Sequence, residues 1–371
     1  MSSRTRTSSG RRRARPRRPG LRAKTVGKNP FLALVPTVKA EIDTRLQGFL
    51  DAAIDDAKSR GAEIVEMMAA VSDLCMRGGK RLRPALVVAG CRAASVSIDL
   101  EPALDTGVAV ELLQAYFLIH DDWMDRDSVR RGGPTVHEYL SKRFRSRRIG
   151  NASAILAGDC ALGLSTDALA RVEVDAPRVV RLFSCFAQMQ LDAIHGQQLD
   201  IVGRPRDVEA LYALKTGSYT VRGPLRLGAI LAGGSPQLLS ALDRYALPVG
   251  IAFQLRDDML SAFGDPKQTG KPFGSDLRRG KRTLLLKHAL KRARGREHRL
   301  LDHVVGNPAA SDAEVRRAVE IVEQSGARAA VEQRIEELVH EARTALKSGR
   351  ITDQGLELLN GAIDTLTARR S

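Results

Sequence analysis

Residues 102–124 read PALDTGVAVELLQAYFLIHDDWM, and this stretch decides the fold. It is long and apolar on most sides, which is typical of a helix buried at the centre of a helical protein. Segments with apolar residues at helical spacing flank it in both directions, and we find no convincing alternation of a half-buried strand. The sequence therefore predicts a single all-α bundle.

The helical pattern extends along most of the chain beyond residue 30. Aromatic residues make up only 4% of the 371 residues, which favours long helices over a β-sandwich. We expect residues 30–371 to form one domain and residues 1–29 to form a disordered basic tail, because a Ser/Arg/Pro/Gly segment cannot bury a core. The predicted helices span 41–58, 64–76, 85–94, 102–124, 152–171, 176–201, 206–214, 218–231, 236–262, 281–293, 312–324, 326–347 and 353–369.

The net charge of +16 is unevenly distributed. Residues 1–28 contain eleven Lys and Arg and no Asp or Glu, which leaves +5 for the rest of the chain. A fold that reads nucleic acid carries a basic face with interleaved aromatics within the fold itself, so no specific nucleic-acid partner is expected. The tail is able to bind any polyanion in a salt-dependent manner, but a solvated leader is the simpler interpretation.

The cysteines and the lengths of the apolar runs indicate the cellular location. Cys75, Cys91, Cys160 and Cys185 form no C-x-x-C pair, so neither a zinc site nor a disulfide framework is indicated. Reduced thiols are typical of a cytoplasmic protein. No apolar run reaches about 18 residues, so no transmembrane segment is expected.

Two acidic clusters each end an apolar helix, DDWMD at 121–125 and DD at 257–258. On a helix, Asp121 and Asp125 lie one turn apart on one face. Carboxylates so placed repel each other at a buried helix end unless a cation compensates them. Oxygen ligands at this spacing suit Mg²⁺, which shares its other positions with water and phosphate. A single such cluster is more often a solvated helix end, but two of them favour a metal site.

Basic groups alternate with the acidic clusters. The segment GGKRLRP at 78–84 places Lys80 and Arg83 beside glycines at a helix start, where backbone N–H groups add to an anion site. Further basic residues follow each acidic cluster or precede another helix: Arg130, Arg131, Lys215, Lys271 and Lys281. Any one of them alone is most simply a surface cation. The joint pattern predicts a substrate with diphosphate groups.

These motifs resemble those of the trans-isoprenyl diphosphate synthase (polyprenyl synthetase) family, of the short-chain type. The family's Gly-Gly-Lys-x-x-Arg-Pro, first aspartate motif with Arg-Arg-Gly, Gly-Gln-x-x-Asp, Lys-Thr and second aspartate motif look like residues 78–84, 121–132, 196–200, 215–216 and 257–281, in family order. The resemblance implies an all-α isoprenoid synthase bundle around a central cavity and a homodimer.

The resemblance also implies a prenyltransferase that joins isopentenyl diphosphate to an allylic diphosphate (dimethylallyl, geranyl or farnesyl), with Mg²⁺ as cofactor and pyrophosphate as both leaving group and proton acceptor. It assigns the metal to Asp121, Asp122, Asp125, Asp257 and Asp258. It assigns the allylic diphosphate to Arg130, Lys215, Lys271 and Lys281, and isopentenyl diphosphate to Lys80, Arg83, Gln114 and Arg131. It places Thr216 and Gln254, with Lys215, as the catalytic residues around the allylic carbon.

One position departs from the family pattern. The second aspartate motif usually contains a third Asp, and Ser261 stands there. If that carboxylate were essential, the chain would be a modulatory subunit. A class I terpene cyclase is a further alternative, but it should lack the isopentenyl site at Lys80 and Arg83.

Two aromatic residues precede the first acidic cluster. On an ideal helix Phe117 lies about 40° from Asp121 and Tyr116 about 140° away. Geometry therefore favours Phe117 as the floor of the product cavity. The resemblance implies that both Phe117 and Tyr116 form that floor. Both are also acceptable as ordinary core aromatics. Two large side chains predict a short product, farnesyl diphosphate, with geranylgeranyl diphosphate as the alternative.

Overall fold

The computed structural model describes residues 29–203, 207–264, 273–347 and 349–367. Within these ranges nearly all secondary structure is helical, which confirms the all-α prediction. The elements are α1 Pro30–Lys58, α2 Ala62–Met76, α3 Leu82–Ala94, α4 Glu101–Met124, β1 Val129–Arg130, β2 Gly133–Pro134, α5 Val136–Arg143, α6 Arg147–Ala170, α7 Ala176–Val202, α8 Val208–Tyr212, a π-helical segment Ala213–Arg222, α9 Gly223–Leu231, α10 Pro236–Phe263, α11 Ser275–Arg278, α12 Leu284–Arg292, α13 Gly295–Val304, α14 Asp312–Gln324, α15 Ala327–Leu346 and α16 Asp353–Thr367.

Helix α4 is the central helix, as the sequence predicts. It packs against α3 on one side and α6 on the other, and most of its residues are buried. Among the described residues it is the one helix long and apolar enough to cross a membrane, but 67% of its most apolar window is buried inside the fold. Such burial is typical of the core helix of a bundle.

The first helix begins at Asn29, which the sequence assigns to the tail. Its side-chain oxygen accepts from the Leu32 N–H at 2.9 Å, and its amide donates to the Gly361 carbonyl at 3.0 Å. Asn29 therefore caps α1 and ties it to α16. The remaining tail residues, 1–28, lie outside the described residues.

The apolar side chains form two clusters that share helix α10. The larger cluster joins α1–α4, α6, α7, α9 and α16, and takes Tyr245 and Val249 from α10. The smaller cluster joins α8 and α12–α15, and takes Leu255 and Met259 from the C-terminal half of α10. Because α10 serves both clusters, its end is held in place from two sides.

Close helix crossings depend on glycine at two positions. A Cβ at Gly228 would lie 1.9 Å from the Val87 carbonyl oxygen, and a Cβ at Gly90 would lie 2.2 Å from that of Leu225. Helices α3 and α9 therefore approach within backbone contact only because both positions lack a side chain. This crossing fixes the basic segment at 78–84 relative to the π-helical segment.

The structure corrects the sequence prediction in several places, among them the short helix α11, which is not in the predicted set. Residues 129–134 form a two-residue antiparallel hairpin, with Arg130 opposite Gly133, where no strand is predicted. Helices α5 and α13 are absent from the predicted set, because each is short and largely polar. The predicted helices 206–214 and 218–231 are parts of one continuous helix whose middle is π-helical.

Candidate active site

A cavity of about 440 Å³ opens between the C-terminal ends of α4 and α10. Its walls come from both acidic clusters, the basic segment at 78–84 and the π-helical segment. Of the residues that the sequence predicts for the site, it is lined by Lys80, Arg83, Gln114, Asp121, Arg131, Lys215, Thr216, Gln254, Asp257, Asp258 and Lys281. The structure therefore brings together residues that are up to about 200 positions apart in the chain.

Five further predicted site residues do not line this cavity: Tyr116, Phe117, Asp122, Asp125 and Arg130. Their positions are described below. Lys271, predicted to bind the allylic diphosphate, lies outside the described residues.

The first acidic wall is Asp121 with its neighbours at the end of α4. Lys215 lies 3.4 Å from Asp121 Oδ1, and Arg130 lies 3.9 Å from Oδ2. Burial opposes ionisation of Asp121, but Lys215, Lys281 and Arg130 outweigh it and hold the pKa of this carboxyl below its ordinary value. Asp121 is therefore a carboxylate that faces the cavity and is compensated by cations.

Asp122 points away from the cavity and pairs with Arg130. The Arg130 Nε donates to Asp122 Oδ1 at 2.8 Å, and Nη2 contacts the same oxygen. Burial raises the pKa of Asp122 to about 6 in spite of this pair. The Asp122–Arg130 pair consequently anchors the hairpin to the end of α4, and neither member reaches the cavity lining.

Asp125 lies one turn beyond Asp121 at the end of α4 and does not line the cavity. Burial and the neighbouring Asp121 raise its pKa. Arg279 lies 3.8 Å from Asp125 and also pairs with Asp127, so a cation from the loop after α11 reaches across to the end of α4. These ion pairs connect the loop after α11 to the end of α4.

The second acidic wall is Asp257 and Asp258 near the end of α10. Asp257 lines the cavity opposite Asp121. Asp258 is buried, accepts from the Tyr212 hydroxyl, and accepts from Gln254 Nε2 at 2.9 Å. Burial and the nearby Asp276 raise the pKa of Asp258 to about 7. Among the described residues, neutral donors hold this carboxyl, and no Arg or Lys forms an ion pair with it.

The hydrogen bonds of Asp258 continue to the predicted catalytic residues. Thr216 Oγ1 donates to Gln254 Oε1 at 2.7 Å, while Gln254 donates to Asp258. Because the Thr216 proton is used in this bond, the lone pairs of its oxygen remain for the cavity. Thr216 Oγ1 and Gln254 Oε1 are thus oriented to stabilise positive charge on a bound group.

Ser261 occupies the position of the third family aspartate. It is buried, and among the described residues its hydroxyl has no hydrogen-bond partner. It borders a second cavity of about 20 Å³, next to Asp258, Asp276 and Lys281. Asp276 thus places a carboxylate near Ser261, the position at which the second aspartate motif lacks its third Asp.

The π-helical segment presents four residues to the cavity, Lys215, Thr216, Tyr219 and Thr220. π-helical turns are wider than α-helical turns and occur mostly at functional sites. A Cβ at Gly196 would lie 2.3 Å from the Lys215 nitrogen, so α7 can approach this segment only with glycine there. The approach brings Asp200 to within 2.5 Å of Lys215 Nζ.

The basic segment turns through two glycines and one strained residue, Arg81. Gly78 and Gly79 have φ values of 100° and 133°, and Arg81 has φ 49°. Arg81 is buried and donates to Asp43 at 2.8 Å, Glu111 at 2.5 Å and the Cys75 carbonyl at 2.8 Å. These three bonds compensate the strain at Arg81 and turn Lys80 and Arg83 toward the cavity.

Arg131 and Arg83 complete the basic side of the cavity. Arg131 donates to the Gly78 carbonyl at 2.8 Å and so joins the hairpin to the basic segment. Arg83 donates to Thr220 Oγ1 at 2.8 Å and stacks on the ring of Tyr219. Both guanidinium groups are thereby fixed at the cavity wall.

The carboxylates fit a divalent cation that is shared with a phosphate ligand. No three His, Cys, Asp or Glu side chains in the described ranges converge as a complete metal site. However, Asp121 and Asp257 line one cavity from opposite walls, among several cations suited to phosphate oxygens. Mg²⁺ commonly binds through one or two carboxylates and takes its remaining ligands from substrate and water.

The sequence alone does not predict the roles of several residues of the site. Asp200 lies within the Gly-Gln-x-x-Asp motif, but the motif does not indicate that it pairs with Lys215. Glu111 is the one acidic residue in the apolar stretch 106–120, and an acidic residue in such a stretch is a signal for a buried ion pair. Tyr212 and Tyr219 carry no such signal, because their roles follow from the π-helical turn.

Comparisons with known proteins show which family the chain resembles over most of its length. Residues 65–322 match the model of the family described as polyprenyl synthetase. The chain is 36% identical to a geranylgeranyl pyrophosphate synthase of Corynebacterium glutamicum that was solved with isoprenyl diphosphate and magnesium; the TM-score is 0.85, and the match covers 91% of this chain and 99% of that one.

Two curated relatives extend the range of products. A geranylfarnesyl diphosphate synthase of Aeropyrum pernix is 34% identical over 80% of this chain and 92% of its own length. A (2E,6E)-farnesyl diphosphate synthase of Mycobacterium tuberculosis is 35% identical over 67% of this chain and 68% of its own. These relatives make products of different lengths.

Proposed function

The chain belongs to the polyprenyl synthetase family and is a short-chain isoprenyl diphosphate synthase. From this premise we propose that it condenses isopentenyl diphosphate with an allylic diphosphate and that its product is farnesyl diphosphate. One observation carries the proposal. Asp121 and Asp257 line the same cavity from opposite walls, with Lys80, Arg83 and Lys215 around it.

We propose that the allylic diphosphate binds between the two acidic walls. Mg²⁺, held by Asp121, Asp125 and Asp257, would stabilise the negative charge of the departing pyrophosphate. Asp122 and Asp258 support this arrangement from behind, through Arg130 and Tyr212. Lys215 and Lys281 contribute positive charge to the same diphosphate, and Lys271 is proposed to join them.

Isopentenyl diphosphate binds on the basic side of the cavity, at Lys80, Arg83, Gln114 and Arg131. The fixed guanidinium groups of Arg83 and Arg131 suit bidentate contact with phosphate oxygens. The isopentenyl double bond would then face the allylic carbon across the cavity. Such positioning of two reactants removes much of the entropic barrier to their reaction.

Ionisation of the allylic diphosphate leaves a carbocation next to Thr216 and Gln254. Their oxygens are oriented by the bonds to Gln254 and Asp258, so they stabilise the positive charge without reorganisation. The isopentenyl double bond attacks, a proton is lost to the released pyrophosphate, and no protein base is required. Tyr116 and Phe117 are proposed to limit the length of the product.

The alternatives differ in product and in activity. Geranylgeranyl diphosphate is the alternative product, because synthases of farnesyl, geranylgeranyl and geranylfarnesyl diphosphate are all relatives. A class I terpene cyclase would have no use for the basic side of the cavity. A modulatory subunit would have no turnover by itself.

We also propose that the protein is a cytoplasmic homodimer that joins through α6 and α7. The exposed face of α7 carries Val180, Leu191, Ile194 and Ile201 at helical spacing, with exposures of 69%, 49%, 44% and 54%, and Leu156 on α6 is 59% exposed. An apolar stripe of this length is typical of a protein–protein interface. Light scattering should give the dimer mass, and the double change Leu191→Glu with Ile194→Glu should give the monomer.

The proposal is tested by incubating the purified protein with isopentenyl diphosphate, Mg²⁺ and each allylic diphosphate in turn, and by identifying the products by mass. We expect farnesyl diphosphate from dimethylallyl and geranyl diphosphate. A longer product would correct the chain length only. No consumption of isopentenyl diphosphate with any allylic partner would refute the proposed reaction.

A further inference from the structure

The apolar part of the cavity wall is small. Among the described residues, five with apolar or aromatic side chains line the cavity, Leu82, Leu211, Tyr212, Tyr219 and Phe253, and the other lining residues, apart from Gly79, are polar or charged. Neither Tyr116 nor Phe117 is among them. A prenyl chain that grows from the reacting carbon therefore meets one of these five side chains before it reaches the two aromatics of α4.

Tyr219 lines the cavity, and its ring packs against that of Phe117. Their ring centroids are 4.8 Å apart, with an angle of 54° between the ring planes. On the cavity side, the guanidinium carbon of Arg83 lies 4.6 Å from the centroid of the Tyr219 ring. The Tyr219 ring thus stands between the basic side of the cavity and Phe117.

The row of rings continues away from the cavity. Phe117 packs against Tyr116 with centroids 4.9 Å apart, and Tyr116 packs edge-on against His120 at 4.9 Å. His120 Nε2 lies within hydrogen-bond distance, 3.0 Å, of the Ile155 carbonyl of α6. The row therefore runs from the cavity wall, through α4, to α6.

We infer that Tyr219 determines product length ahead of Phe117, and that its ring also holds Arg83 in position for isopentenyl diphosphate. This inference rests on the proposed function. Because Tyr219 lies between the cavity and Phe117, removal of the Phe117 ring alone opens a space that the growing chain reaches only when the Tyr219 ring moves aside. Removal of the Tyr219 ring joins that space to the cavity.

The stacking of Arg83 gives a second, independent consequence. An arginine over an aromatic face is held by the electron density of the ring, and a phenylalanine preserves most of that attraction. Loss of the ring leaves Arg83 with the hydrogen bond to Thr220 as its side-chain contact among the described residues. We therefore expect Tyr219→Ala to raise the KM for isopentenyl diphosphate by about fivefold, and Tyr219→Phe to leave it nearly unchanged.

The experiment compares Tyr219→Ala, Tyr219→Leu, Tyr219→Phe and Phe117→Ala with the unmodified protein. Each is supplied with isopentenyl diphosphate, dimethylallyl diphosphate and Mg²⁺, and products are identified by mass. We expect Tyr219→Ala and Tyr219→Leu to lengthen the main product by at least one five-carbon unit. Phe117→Ala should give a smaller shift, and Tyr219→Phe should give the product of the unmodified protein.

Three results would overturn the inference. They are unchanged product lengths in both Tyr219→Ala and Tyr219→Leu, a larger shift in Phe117→Ala than in Tyr219→Ala, or an altered product in Tyr219→Phe. If Tyr219→Ala does not fold, as judged by its circular dichroism and melting curve, Tyr219→Leu decides the question. Failure of the proposed function is recognised separately, because the unmodified protein would then form no product.

Discussion

The two acidic walls of the cavity hold their carboxylates in different ways. At the end of α4, Asp121 faces Lys215 and Asp122 is paired with Arg130, so charge is balanced by charge. Near the end of α10, Asp258 accepts from a tyrosine hydroxyl and a glutamine amide. Cations lower the pKa of Asp121, whereas burial raises the pKa of Asp122 to about 6, despite its pair with Arg130, and that of Asp258 to about 7.

The difference indicates a division of labour between the walls. The Asp121 carboxylate, whose pKa is lowered by its ammonium and guanidinium partners, remains ionised and can exchange a partner for a metal ion when a diphosphate enters. A carboxyl fixed by neutral donors instead orients the groups around it, here Gln254 and through it Thr216. We therefore expect changes in the first wall to affect chemistry, and changes behind Asp258 to affect stability and orientation.

The largest effect is expected from Asp121→Asn. The change keeps the shape of the side chain but removes the charge that faces the cavity, so kcat should fall about 10²- to 10³-fold, as for other preorganised electrostatic groups. Steady-state turnover with saturating substrates measures it. Asp159→Asn on the exposed face of α6 is the matched control and should keep full turnover. A loss below tenfold in Asp121→Asn would contradict the role of the first wall.

A smaller effect, mainly on stability, is expected from Tyr212→Phe. This change removes the hydroxyl donor of buried Asp258, and the unsatisfied oxygen should cost about 1–3 kcal/mol in the free energy of unfolding. Urea unfolding measures this cost. Tyr139→Phe removes a hydroxyl that contacts partly exposed Glu66 at 3.3 Å, and it should cost less than about 1 kcal/mol. Equal costs for both variants would mean that Asp258 needs no neutral donor.

The smallest effect is expected from Ser261→Ala. The hydroxyl has no hydrogen-bond partner among the described residues, so its removal sacrifices no bond, and turnover should stay within about twofold. Ser261→Asp should be less stable, since it adds a negative charge beside Asp258 and Asp276 in a cavity of about 20 Å³. Turnover that is restored or greatly raised in Ser261→Asp would instead identify the unmodified chain as a modulatory subunit.

The sequence predicts the long elements and the acidic walls well, because both follow from local patterns. The apolar run that ends at Asp121 is a helix by its periodicity, and the carboxylates one turn apart follow from that helix. The motif spacing likewise predicts that Lys80, Lys215 and Asp257 belong to one site. All three line the cavity.

The sequence could not distinguish adjacent residues of the same type. Asp121 and Asp122 are residues of the same type, so the sequence alone does not tell them apart. In the fold, the hairpin brings Arg130 to Asp122, which turns away from the cavity, while Asp121 faces it. Nor could the sequence predict the π-helical segment, since its wide turn depends on tertiary contacts at Gly196 and on the approach of Gly217 to Gly250. The role of Tyr219 follows from that turn.

The central claim is that both acidic walls act on a single diphosphate. A double-mutant cycle with Asp121→Asn, Asp257→Asn and the combined variant tests it most directly, with single-turnover rates of the allylic diphosphate as the readout. If both carboxylates serve the same group, the double variant should lose little more than the more damaged single variant. Losses that multiply would show that the two walls act independently, and this would contradict the account.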